Sequence, residues 1–160
     1  IGISGPAWLS DPKWSLLAVC IVLIWSSIGT AVIIFLSGLQ GISTSYYEAA
    51  EIDGANAWQK FRSITFPLLS PTTFMLVVTE IIGFFQVFDL IFLMISSTSS
   101  GMKGARSIVM LFYEEAFTKF NKGYGAAIAN MLFLIILVIT IVQMKLQKKW
   151  VYSENGGDDK

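Results

Sequence analysis

The 160-residue sequence contains no histidine and a single cysteine, Cys20. Neither a histidine-based metal site, nor a Ser-His-Asp triad, nor an internal disulfide can be assembled from it. A GxxxxGK[ST] phosphate loop is also missing, which excludes a P-loop ATPase, so a process using ATP has to draw on another subunit. Charge is scarce, at 14% Asp, Glu, Lys and Arg, against about 25% in an ordinary soluble domain. Net charge is zero and no basic run is long enough for a nucleic-acid footprint. Cys20 lies inside an apolar run and reads as a small apolar core residue.

What the chain has in abundance is apolar length, with 54% hydrophobic residues. Leu16 to Leu39 and Tyr124 to Met144 carry no charge. Each can cross a bilayer, for which roughly 20 apolar residues suffice. Pro71 to Ile95 is equally long but contains Glu80 and Asp89. The expected fold is therefore all-α and polytopic. Three transmembrane helices are placed at about 15–39, 71–95 and 124–144 within one membrane domain over 1–152, followed by a disordered tail at 153–160. Three helices bury little polar surface alone, so partner helices and lipid are expected around them. Ile1 is not a start methionine and no charged n-region precedes an apolar core, so the sequence reads as a piece of a longer protein.

An odd number of spans puts the loop at 40–70 on the same side as the C-terminus. Lys60, Arg62, Lys145, Lys148 and Lys149 fall on that side, and Lys13, Lys103, Arg106, Lys119 and Lys122 on the other. That balance leaves the positive-inside rule undecided. The tight cluster Lys145, Lys148, Lys149 directly after a span points to a cytoplasmic C-terminus, with the loop at 96–123 outside.

The 40–70 loop is long for a connection between spans, and its residues have local logic. Ser45 and Glu48 have the spacing of a capping box starting a helix that runs to about Ile52. Ala49 and Ala50 keep that helix thin, and Gly54 breaks it. A second helix over about Asn56 to Thr65 places Trp58, Phe61 and Ile64 at helical spacing, and Pro67 closes it. Two readings of this loop stay open on physical grounds: an amphipathic segment lying on the bilayer, or a docking site for another subunit. On the opposite side Ser96 to Gly101 reads as flexible, and Arg106 to Phe120 as a short amphipathic helix against the membrane surface. Gly125 and Ala129 form a small-xxx-small packing pair.

Chemistry is expected where charge enters the membrane. On one continuous helix Gln86 and Asp89 fall about 60° apart and Glu80 about 180° from Asp89, with Gly83, Phe84, Phe85 and Phe88 around them. Amides, carboxylates and rings on one face suit a hydroxyl-rich solute. A structural polar pair is the competing account, and for Glu80 the stronger one.

Glu48-Ala49-Ala50-x-x-Asp53-Gly54, a gap of nine residues, and Ile64-x-Phe66-Pro67 together resemble the EAA loop of the permease subunits of bacterial ATP-binding-cassette (ABC) importers. The family pattern ends Ile-x-Leu-Pro, so Phe66 is a mild departure. Trp8 to Pro12, Phe35 to Gln40, Ile64 to Pro71 and Phe85 to Asp89 are similar to the sugar-permease branch that includes the maltose and glycerol-3-phosphate systems. The resemblance runs to about Gln147 and implies the C-terminal half of a permease of about six spans in the bacterial cytoplasmic membrane. It implies that Glu48, Ala49, Ala50, Asp53, Gly54, Trp58, Phe61, Ile64 and Pro67 form a coupling element docking into an ATP-hydrolysing subunit. It further implies that Phe84, Gln86 and Asp89 lie along the solute path. The implied partners are the ATPase subunits, which bind ATP-Mg, a second permease subunit and an extracytoplasmic solute-binding protein. The chain itself is then no enzyme and binds no cofactor or metal. A permease for an amino acid or ion, or a membrane scaffold outside transport, is the alternative.

Overall fold

In lipid a chain without charge has to satisfy its backbone internally, which a helix does. The computed structural model describes residues 5–150, and every regular element among them is helical. In chain order these are α1 (Pro12–Gln40), α2 (Thr44–Ile52), α3 (Ala57–Lys60), α4 (Phe66–Leu68), α5 (Ser70–Phe85), α6 (Asp89–Met94), α7 (Met102–Ala105), α8 (Ile108–Tyr113) and α9 (Lys122–Trp150). Single π-helical turns occupy Phe61–Thr65 and Glu114–Thr118. The tail from Ser153 lies outside the described residues.

By length and composition α1 and the Lys122–Gln147 stretch of α9 can cross a membrane. Ala57–Leu68 and Ser70–Phe85 meet at a 57° bend and make a third span if taken as one. Large apolar side chains stand open along these helices, Trp25 at 77% exposure and Ile33 at 69%. In water such a surface would aggregate, and in a bilayer it is the face that lipid or other helices cover. Cys20 is exposed rather than a core residue, because it borders an open apolar cavity instead of packing in the interior.

Two compact units divide the described residues, one up to Ile28 with Ile81–Ile139, the other Gly29–Glu80 with the chain from Thr140 onward. The first is built on a core of Val19, Ile91, Ile95, Met102, Ala105 and Met110. Ile91 and Ile95 reach that core because the helix expected over 71–95 is divided. α5 ends at Phe85, α6 starts at Asp89, and Phe88 between them leaves helical geometry (φ −136°, ψ −56°). Neither proline nor glycine causes the break. Ser107 Oγ donates to the freed carbonyl of Val87 at 2.7 Å, and Phe88 packs on Phe92 and Tyr113 with ring centroids 5.2 and 5.1 Å away. Tertiary contacts override local helix preference here.

The serine-rich segment expected to be flexible is held instead. Ser100 Oγ donates to the Ser10 carbonyl, Ser99 Oγ donates to that of Leu9 at 3.3 Å, and the fully buried Ser15 Oγ donates to that of Gly101 at 2.7 Å. A Cβ at Gly101 would stand 2.0 Å from the Leu9 carbonyl oxygen, and one at Gly104 equally close to that of Pro12. Only glycine lets these backbones meet. Gly125 also serves close packing, but its neighbour is Ala116 of the second π-turn rather than another span.

The second unit carries the 40–70 elbow. Gly38 lets the end of α1 approach α5, for a Cβ there would meet Thr72 Oγ1 at 2.8 Å. The helix expected to close at Pro67 runs through it to Leu68 and bends at Leu69. Proline has no N–H, and its ring collides with the carbonyl four residues back. The π-turn, in which the Phe66 N–H reaches the Phe61 carbonyl, widens the helix where that collision would fall.

Candidate functional site

Glu48, Ala49, Ala50 and Asp53 belong to α2 and its C-terminal cap. Ser43 caps its N-terminus, accepting from the Ser45 N–H at 3.4 Å and pairing with the Ser45 hydroxyl at 2.8 Å. The expected Ser45–Glu48 capping box is thereby replaced, since the N-cap lies two residues earlier, at Ser43, and Ser45 falls inside the helix. Glu48 is exposed. At the other end the Ala55 N–H donates to the Ala50 carbonyl (2.9 Å) and the Gly54 N–H to that of Glu51 (3.0 Å). This pair of bonds is a Schellman motif, and it requires a left-handed residue at its centre. Gly54 supplies it with φ +74°.

The chain then turns directly into α3. Asn56 and Gln59 form a reciprocal capping box, Asn56 Oδ1 accepting from the Gln59 N–H at 2.9 Å and Gln59 Oε1 from the Asn56 N–H at 2.7 Å. Two contacts set the elbow's opening. Lys60 Nζ donates to Glu51 Oε1 at 2.7 Å across the turn, and the Tyr47 and Thr65 hydroxyls pair at 2.9 Å. The lysine's hydrogen bond, and then its charge, hold the Glu51 carboxyl below the usual carboxylate range. The outer surface is apolar: Trp58 is 67% exposed and stacks on Phe61 at 5.6 Å, and Phe61 approaches Phe66 at 6.5 Å. Phe66 belongs to this row of rings, while Ile64 is half-buried. Pro67 is half-buried in α4.

The candidates in the second apolar stretch do not converge. Gln86 opens into a cavity of about 450 Å3 with Val109, Phe112, Ala129, Leu132, Phe133 and Ile136. Phe84 lines a different, apolar cavity of about 370 Å3 beside Cys20, Leu23 and Ile91. Asp89 is exposed in the first turn of α6 and borders neither. The shared face of Gln86 and Asp89 presumed one continuous helix, and the break at Val87–Phe88 rotates them apart. Glu80 is half-buried on α5.

A family model described as the binding-protein-dependent transport system inner membrane component matches residues 2–152. The chain belongs to this family. It is thus a permease component and a multi-pass protein of the inner membrane. Among similar proteins is the arabinooligosaccharides transport system permease protein AraP of Bacillus subtilis, 34% identical over 91% of this chain and 46% of the relative. The trehalose/maltose transport system permease protein MalF of Thermococcus litoralis is 34% identical over 91% of this chain and 48% of its own length. The chain spans about half the length of these relatives. A crystal structure of a bacterial ABC transporter involved in the import of the acidic polysaccharide alginate shares the fold, with a TM-score of 0.80 over 92% of this chain and 51% of that one, at 24% identity.

Several contacts of the elbow were not anticipated from sequence. The Asn56–Gln59 box was legible as a polar cap with an amide three residues on. The Tyr47–Thr65 and Glu51–Lys60 pairs were not, since each joins residues whose meeting depends on the turn angle.

Proposed function

We propose that this permease component forms part of the translocation path of an ATP-driven carbohydrate importer, and that its elbow couples the path to separate ATPase subunits. One observation carries the coupling reading: a rigidly capped helix–turn–helix presents Trp58, Phe61 and Phe66 outward, and Ile52 at the end of α2 is 87% exposed. A segment that only lay on the bilayer would not need a Schellman turn, a capping box and two cross-elbow contacts to fix its angle. Carbohydrate is the solute class named for relatives that carry arabinooligosaccharides or trehalose and maltose. Gln86, an amide in an otherwise apolar cavity, is the group we assign to the solute path, with Phe84 and Asp89 secondary. The implied assembly contains a second permease subunit and an extracytoplasmic binding protein, and ATP-Mg is held by the ATPase subunits. The elbow and the C-terminus are cytoplasmic.

The test is ATP hydrolysis by the complete reconstituted transporter, with and without sugar-loaded binding protein. Glu48 makes no cap and is exposed, so Glu48→Ala removes little local stability and leaves inserted, assembled protein. Stimulation by the loaded binding protein should nevertheless fall several-fold. Unchanged stimulation in this variant and in Trp58→Ala would remove the coupling role.

A further inference from the structure

The loop at 96–123 contributes a cavity of about 400 Å3 that the solute path above does not use. Phe92, Ser97, Arg106, Met110, Tyr113, Glu114, Thr118 and Lys119 line it, and it shares no lining residue with the Gln86 cavity. Its volume lies within the range of small-molecule sites. Phe92 and Tyr113 meet edge to face, centroids 5.3 Å apart at 72°, while Phe88 packs on both rings and Phe117 stacks on Tyr113. Phe92 remains 46% exposed, so one ring stays open.

The polar groups around these rings are poised rather than spent. Among the described residues the hydroxyls of Ser97, Tyr113 and Thr118 make no hydrogen bond. Arg106 Nη2 stands 3.3 Å from Glu114 Oε2, and Lys119 Nζ donates to Glu115 Oε1 at 2.6 Å. Each cation is neutralised by a carboxylate, yet the guanidinium, with five N–H donors, retains free ones. Open ring, uncommitted hydroxyls and balanced charge suit a ligand with a C–H face and a rim of hydroxyls. They suit neither a free anion, which the carboxylates would oppose, nor an apolar chain, which would bury the hydroxyls unpaired.

We infer that this cavity is a second carbohydrate-contact site, on the outer side of the permease, which a sugar meets before it reaches Gln86. The inference rests on the proposed carbohydrate function and on its topology. It is tested in right-side-out vesicles containing the complete transporter, with Ser97→Cys introduced in a Cys20→Ser background. An impermeant thiol reagent should modify position 97 from outside, read by mass spectrometry. Maltotriose or an arabino-oligosaccharide, whichever the vesicles take up, should slow that modification. Tyr113→Phe and Thr118→Val keep shape and rings, and each should raise the half-protecting sugar concentration roughly two- to tenfold, the loss of one neutral hydrogen bond. Normal uptake with unprotected labelling at position 97, or with half-protecting concentrations unmoved in both variants, would overturn the inference and leave the proposed function standing. No uptake of any sugar in the panel would overturn both.

Discussion

At Gly54 the backbone φ is +74°, and nothing lies within 4 Å of where a Cβ would stand. The requirement is therefore conformational, not steric. A β-branched residue held in left-handed geometry costs about 1–3 kcal/mol, whereas asparagine visits that region with less strain. Gly54→Val should leave the protein inserted but uncouple ATP hydrolysis from solute, and Gly54→Asn should keep most of the coupling. Equal activity of the two variants would show that the left-handed turn is dispensable. That glycine was legible in the sequence because its role depends on its own backbone and on hydrogen bonds reaching only five residues.

Glu51 is the neighbouring case in which charge sets the geometry. Lys60 lowers its pKa below the ordinary 4.5, chiefly by the hydrogen bond and then by its charge. A depressed carboxylate stabilises the fold at pH values above its unfolded pKa, and that contribution fades as pH falls through the lowered folded value. The ion pair across the elbow is thus intact at neutral pH and lost only in acid. A carbon-detected NMR titration should place the Glu51 midpoint below 4.5, and Lys60→Met should move it up towards the ordinary value. A midpoint unmoved by that substitution would mean the pair does not persist in solution.

At the scale of elements, the two unbroken apolar runs read correctly and the charged one did not. Leu16 to Leu39 and Tyr124 to Met144 lie within α1 and α9 because an uncharged run in lipid has no alternative to a helix. Over 71–95 the break at Val87–Phe88 is enforced by Ser107, twenty residues away, and by the Tyr113 ring of α8. Periodicity cannot register partners at that distance. Pro67 misled in the opposite direction, since a π-turn carries the helix past it.

The break also separates two residues that a continuous helix would unite, and this has a measurable consequence. Gln86 faces a cavity and Asp89 does not border it. Gln86→Ala should raise the half-saturating solute concentration for uptake roughly two- to tenfold, as expected for one lost hydrogen bond, while Asp89→Asn should change it much less. The reverse order would place the path on the other side of the break.

For the whole molecule, the two readings of the elbow diverge most clearly in where its surfaces sit. Positive charge is evenly split between the two sides, so beyond the Lys145, Lys148, Lys149 cluster the orientation rests on the proposed coupling role, which puts 40–70 with the ATPase in the cytoplasm. Ser45 is exposed at the start of α2 and Lys122 at the start of α9, and the proposed topology puts them on opposite sides of the membrane. Cysteines at these positions in the complete transporter, with Cys20→Ser, report the two sides independently of transport. An impermeant reagent added to right-side-out vesicles should modify position 122, and position 45 only after the membrane is opened. If position 45 is modified first, the elbow faces outward, ATPase docking is impossible there, and the row Trp58–Phe61–Phe66 has to be reassigned to an external partner. If position 45 resists modification even in opened vesicles until ATPase subunits are stripped away, the surface around it is covered by those subunits, which a helix lying on lipid would not produce.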